Sequence, residues 1–234
     1  MTQEDQLRSV QNSSMRPSKK EPAWGEFVVS VEGVEAENGL ARPLKLVAFW
    51  LLAPTMLVIL ASLMVGHWYT LPKPASEDLR VRTALFELRE DKDMGRWVGY
   101  HVLYSDCGCS RRVMDHLFST NRPDDFTEKL LLVGHNDAFE KRALQAGFDL
   151  VVLRPRELKE QFSLESAPLF IVTNPRGSLD YVGGYTARKR GLAIRDLEIV
   201  HKLRSAHAVE ELPLFGCAVS KGLQEILDPL GFKY

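Results

Sequence analysis

Three cysteines in 234 residues are too few for a scaffold built on disulfides and too few for a four-cysteine zinc site. Charge of one sign is also missing. The 30 Lys and Arg against 31 Asp and Glu leave a formal net charge of -1, so no field draws the chain to nucleic acid or to an anionic surface. There is no internal repeat and no glycine-rich phosphate loop, and no cofactor is expected. The hydrophobic share of 45% is ordinary for a globular protein. Its distribution is not.

From Leu46 to Gly66 the sequence LVAFWLLAPTMLVILASLMVG carries no charge, and a helix of about 20 such residues crosses a hydrocarbon core. Trp50 near one end and His67, Trp68 and Tyr69 at the other are the amphipathic aromatics that settle at headgroup level. Pro54 inside the run is tolerated, since membrane helices re-satisfy the freed carbonyl locally. Residues 44–69 are therefore expected to form one transmembrane helix. The tail before it, residues 1–43, is too long for a cleaved signal peptide. Poor in apolar residues, it is expected to be largely disordered, with the role of the short stretch Phe27–Val31 left open. Arg8, Arg16, Lys19, Lys20, Arg42 and Lys45 precede the run, and Lys73, Arg80 and Arg82 follow it. That bias favours a cytoplasmic tail and an exported C-terminal part.

Beyond Pro72 and Pro74, residues 70–96 read as a juxtamembrane linker and helix, with Leu79, Ala84, Leu85 and Leu88 at helical spacing between Glu77 and Arg96. A second domain is expected over residues 97–234. Its pattern predicts strands at Val98–Tyr104, Lys129–Val133, Phe148–Leu153, Leu169–Thr173 and Ser178–Val182. Helices are predicted at Ser110–Ser119, Phe139–Ala146, Arg156–Phe162 and Leu192–Ala206. Gly147 closes the second of these helices and Asn174-Pro175-Arg176-Gly177 forms a hairpin turn. A C-terminal extension from about residue 207 carries Leu223, Ile226, Leu227 and Leu230, enough for one more short helix. Alternating strands and helices that end in a hairpin give an α/β fold, a mixed sheet flanked by helices.

Asp106-Cys107-Gly108-Cys109-Ser110 falls between the first strand of this domain and its first helix. There, helical N–H groups and the helix dipole stabilise a thiolate, the reactive form of cysteine. Ala167-Pro168 stands just before the strand that opens the hairpin. These residues resemble the thioredoxin superfamily over about Val98–Ala206. The resemblance is strongest to bacterial membrane-tethered thioredoxin-like proteins of the disulfide reductase type. Cys107-Gly-Cys109-Ser110 together with Tyr181-Val182-Gly183-Gly184-Tyr185 is similar to RedB-type members of that group. The resemblance implies a thioredoxin-like domain at the outer face of a bacterial inner membrane, in the periplasm. It implies thiol–disulfide exchange with protein substrates, at a site of Cys107, Cys109 and Pro168, with Pro168 cis and shaping a groove for an extended chain.

One residue separates Cys107 from Cys109, where the superfamily has two. Cysteines so spaced point to different sides of a regular backbone, so a bond between them needs the bend that Gly108 supplies, and it would be easily reduced. Cys217, in Phe215-Gly216-Cys217, is either a resolving partner for one of them or a small buried apolar residue. Asp106 either tunes the neighbouring thiol or caps the helix; Arg111 and Arg112 read as solvated. Two rival functions stand beside the redox one. Cys107 and Cys109 with His116, or with His101 or His135, form a candidate soft-metal site for Cu(I). Alternatively, the domain is a tethered interaction module with structural cysteines.

Overall fold

The computed structural model describes residues 38–228 and 231. Of the expected tail, residues 1–43, residues 1–37 lie outside them and residues 38–43 belong to the first helix. The chain divides into two units, Met1–Val58 and Ile59–Tyr234.

Helix α1 runs Asn38–Trp68. Its side chains are described only for residues 45–60, all of which are exposed, including Leu46, Phe49, Trp50, Leu51 and Leu57. Among the described residues no helix is long and apolar enough to cross a membrane. The rest of the expected span, residues 61–66, falls outside the described side chains.

The second unit continues with α2 (Leu79–Glu87), β1 (Val98–Tyr104), α3 (Gly108–Ser119), β2 (Thr127–Val133), α4 (Asp137–Gln145) and β3 (Asp149–Leu153). There follow α5 (Pro155–Phe162), β4 (Ser166–Ala167), β5 (Leu169–Thr173), β6 (Leu179–Gly183), α6 (Asp196–Arg204), β7 (Cys217–Ala218) and α7 (Lys221–Leu227). Five strands form one sheet in the order β3-β2-β1-β5-β6. β1, β2 and β3 run parallel; β5 and β6 run antiparallel to their neighbours. β4 and β7 make a separate two-stranded antiparallel pair. A mixed sheet flanked by helices in this order fits a thioredoxin-like fold.

Period-two alternation along β1 sends its side chains to two cores. Val98, Tyr100 and Val102 face a core completed by α2 and α5 through Val81, Leu85, Leu158 and Phe162. Leu103 faces the other, filled by Val113, Met114 and Leu117 of α3, Ala143 of α4 and Ile199 and Val200 of α6. β2, whose Leu130-Leu131-Leu132-Val133 is buried on both faces, reads as the unbroken apolar run of an interior parallel strand. Local signals fix the helix ends. Asp78 accepts hydrogen bonds from the N–H groups of Arg80 and Val81, Asn136 accepts one from that of Phe139, and Pro155 opens α5. Gly147, at φ +81°, closes α4.

The differences from the sequence pattern have local causes. The expected helix between Glu77 and Arg96 stops at Glu87; a single 3-10 turn at Asp91–Asp93 follows, where the buried Asp93 carboxylate accepts from the Glu90 N–H. Its apolar residues do not flank the domain but build it, since Val81 and Leu85 have no exposed surface. α6 begins at Asp196 rather than Leu192, which is 92% exposed in the preceding loop. Leu85→Ala is expected to lower the unfolding free energy of the second unit by about 2–5 kcal/mol in a denaturant titration.

Candidate functional site

The site is built where β1 ends. Cys107 caps the N-terminus of α3 from an extended backbone (φ -101°, ψ 119°), and its carbonyl accepts the first helical hydrogen bond, from Arg111 N–H at 3.0 Å. The cap is thus Cys107, not Asp106, which is exposed. Cys107 N–H donates to Tyr104 O at 3.0 Å. Ser110, fully buried in the first turn of α3, accepts from the Tyr104 N–H at 3.0 Å and so ties the helix to the strand that feeds it.

Cys107 and Cys217 form a disulfide, with Cα atoms 6.0 Å apart and a sequence separation of 110. Cys109 is free and half-buried. Of the pairings the sequence left open, within the Cys107-Gly-Cys109 motif or with Cys217, the bond is the one from Cys107 to the C-terminal extension. Cys107 occupies the N-cap and Cys109 the second helical position, where their side chains diverge around the helix axis.

The third component is the Ala167–Pro168 peptide bond, which is cis. The sulfur of Cys107 lies 3.9 Å from the carbonyl oxygen of Ala167. Ala167 is in turn the residue opposite Cys217 in the antiparallel β4–β7 pair. Gly216 makes this approach sterically feasible. A Cβ built there would overlap the Ala167 carbonyl and stand 2.6 Å from Pro168 Cδ. Cys107, Cys217 and Pro168 are thus brought together, with Cys109 one helical step away. Cys217 was legible only as a candidate. The fit of Gly216 and the anchoring by Ser110 had no sequence signal beyond a glycine before a cysteine and a serine at the fourth motif position.

The histidines point elsewhere. His116, at the far end of α3, has Nε2 3.1 Å from Asp196 Oδ1 and Nδ1 3.4 Å from Thr120 Oγ1. His101 has no exposed surface and lies 2.9 Å from both Tyr185 Oη and Glu128 Oε1; His135 faces Glu140. Among the described residues no three His, Cys, Asp or Glu side chains are grouped to hold a metal ion.

On the face of the sheet covered by α3 and α6, a buried ionic network links His101, Glu128, Arg122 and Asp196. Arg122 Nε donates to Glu128 Oε2 at 2.8 Å, and Arg122 Nη1 is 2.7 Å from Asp196 Oδ2. Burial raises the carboxyl pKa of Glu128, but hydrogen bonds from His101 and Arg122 outweigh it and hold the group below its ordinary value. For Asp196 burial likewise opposes ionisation, and the charges of Arg122 and His101 reverse it. Burial drives the Tyr185 hydroxyl well upward, so it stays protonated beside His101.

No protein-family profile matches the sequence, and no curated protein does. Solved structures with a similar course of chain include an uncharacterised conserved protein from Geobacillus kaustophilus, at 14% identity over 56% of this chain and 79% of that one (TM-score 0.42). A hypothetical protein from Sinorhizobium meliloti is similar at 13% identity over 53% and 79% (TM-score 0.40). The thioredoxin domain of a thiol-disulfide oxidoreductase from Bacteroides vulgatus is similar at 14% identity over 38% and 70% (TM-score 0.30).

A depressed carboxyl pKa contributes stability above the unfolded value, and that contribution is lost as pH falls through the folded one. Glu128→Gln leaves Arg122 short of a buried partner and is expected to cost about 3 kcal/mol at pH 7. In urea titrations from pH 7 to pH 3 the deficit against the parent should shrink steadily below the ordinary carboxylate range, about pH 4.3. A deficit constant with pH would show that the charge of Glu128 is not what stabilises the network.

Proposed function

We propose that this chain is a membrane-tethered thiol–disulfide oxidoreductase acting on protein disulfides outside the cytoplasm. The observation that carries this reading is the Cys107–Cys217 disulfide, seated on the N-terminus of α3 and against the cis Pro168. On reduction, the Cys107 sulfur faces the unpaired N–H groups of a helix whose dipole favours negative charge there. A thiolate stabilised in this way is both a ready nucleophile and a good leaving group. Cys217 is its redox partner, and Cys109 a third thiol of the same site. The substrates are extended protein segments that carry cysteines.

The tether is the apolar run Leu46–Gly66, and the reading places it in a bacterial inner membrane with the redox domain on the periplasmic side. What supports the tether is the absence of charge in the run, its aromatic frame, the larger number of Lys and Arg residues before it than just after it, and the outward-facing apolar side chains along residues 46–60.

A second reading has its own observation: Cys107 has no exposed surface. A disulfide closing so long a loop stabilises a fold by about 4–5 kcal/mol on chain-entropy grounds, so the bond would also suit a structural staple in a non-catalytic interaction module. The two readings part in a redox titration of the full chain in detergent. Equilibration across glutathione buffers, differential alkylation and intact mass should give one two-electron transition joining Cys107 to Cys217. Cys217→Ser should abolish it and Cys109→Ser should leave the same pair. A midpoint above about -300 mV fits an exchanging disulfide, whereas a bond that stays oxidised throughout fits the staple and overturns the catalytic reading.

A further inference from the structure

β7 is placed where an incoming chain would have to lie. Pairing by strand addition needs a free backbone edge beside the reacting sulfur, and the edge beside Cys107 is Ser166–Ala167. That edge is filled by the chain itself. Ala167 faces Cys217 and Ser166 faces Ala218; the Val219 N–H donates to Glu165 O at 2.7 Å, and the Ser220 hydroxyl to Glu165 Oε1 at 2.9 Å. The segment Gly216-Cys217-Ala218 is therefore an extended, cysteine-bearing chain, paired antiparallel to the residue before Pro168 and disulfide-bonded to Cys107.

The segment is also short and held from both sides. Upstream, Leu214 is buried and its carbonyl accepts from the Leu71 N–H at 2.9 Å. Downstream, Leu223 is buried and Ser220 caps α7 by accepting from the Leu223 N–H. Residues 216–219 bridge these anchors and belong to no larger sheet, so they can leave the edge while Leu214 and α7 stay in place.

Resting on the oxidoreductase reading above, we infer that β7 is a tethered stand-in for substrate: resolution of the mixed disulfide by Cys217 and ejection of product from the Ser166–Ala167 edge are one event. Reduction of Cys107–Cys217 by an external dithiol consumes the bond, yields two thiols and releases β7, which uncovers Cys107 and the edge. The Cys107 thiolate then attacks one sulfur of a substrate disulfide. A Cys107–substrate bond forms, the substrate S–S bond breaks, and the other substrate sulfur leaves as thiolate and takes up a proton. The Cys217 thiol gives its proton to solvent and attacks the Cys107 sulfur. The Cys107–Cys217 bond forms and the second substrate sulfur departs with the electron pair. Because Cys217 reaches Cys107 by re-pairing with Ala167, the returning strand takes the place of the substrate backbone. Gly216 is the positioning residue, since any Cβ there collides with Ala167 and Pro168.

The test uses the reduced full chain in detergent, in a Cys109→Ser background. The probe is the self-quenched fluorescent disulfide dimer of the peptide LFGCAVS, the sequence of residues 214–220. Stopped-flow fluorescence and intact mass follow loss of the first and second peptide halves. Cys217→Ser is expected to stop with one half bonded to Cys107. Gly216→Ala is expected to slow the second release at least tenfold relative to the first. The Val219 amide should exchange quickly in the trapped Cys217→Ser species and slowly in the oxidised parent, and this arm decides alone if Gly216→Ala does not fold. A second-to-first ratio within twofold of the parent, or a Val219 amide still protected in the trapped species, would overturn the inference and leave the oxidoreductase reading standing. Failure of Cys107 to attack the probe at all would remove both.

Discussion

Strand β1 is the constraint on which the rest depends, because it is hydrogen-bonded along both edges and buried on both faces. Its parallel neighbour β2 and its antiparallel neighbour β5 fix opposite properties. Parallel pairing to β2 demands a crossover, and α3 supplies it, so the chain leaving β1 must turn at once into a helix. Antiparallel pairing to β5 means that β5 begins where β1 ends: Leu169 stands opposite Val102. Pro168 is thereby delivered to the same end of the sheet as Cys107. The meeting of the cysteine with the cis-proline loop follows from strand sense and register, not from any attraction between them.

The same strand shows how a polar residue is kept in a packed interior. His101 lies at the middle of β1 on the face covered by α3 and α6, stacked on Phe170 at 4.8 Å between ring centroids. An unpaired imidazole there would cost several kcal/mol of desolvation. Both ring nitrogens instead meet a partner, Tyr185 on one side and Glu128 on the other, and Arg122 bridges Glu128 to Asp196 at the start of α6. The network fastens the long connection after β6 to the centre of the sheet. Such a set of groups is costly to break at one member and close to neutral to replace as a whole. It is best understood as fixing which arrangement forms, not as a large net source of stability.

How much of this was legible depended on the length of each element. β1, β2, β5 and β6 announce themselves because five or more residues of one period leave little ambiguity; β1 and β5 end where the pattern puts them, and the ends of β2 and β6 differ by at most two residues. β4 and β7 are two residues each, and no periodicity exists over two residues. Yet that pair places Cys217 beside Cys107. The motif between β1 and α3 marked Cys107 as a candidate, while its partner depended on a contact 110 positions away that local patterning does not record. The segment before the domain misled for a different reason. Leu79, Ala84, Leu85 and Leu88 have the spacing of an amphipathic surface helix, and only the sheet it covers shows that Leu85, with Val81, is part of the core.

Why the second sulfur comes from so far along the chain follows from the first turn of α3. The position three residues after the N-cap points back toward the strand, and here it is Ser110, whose hydroxyl is engaged by the Tyr104 N–H. Cys109, one residue earlier, turns away by about 100° around the helix axis. Cys109 therefore cannot bring its sulfur to Cys107 without unwinding the first turn of α3, and Ser110 has none to offer. A remote cysteine meets no such conflict. Loop-closure entropy grows only by about 0.6 kcal/mol for each doubling of length, and most of the intervening chain is already ordered by the sheet and its helices. The remaining cost is that of ordering residues 216–218, and the β4 edge offsets part of it through backbone pairing. A cysteine on a short strand of its own, Cys217, can therefore approach Cys107 without disturbing the helix, which Cys109 from its place in the first turn cannot.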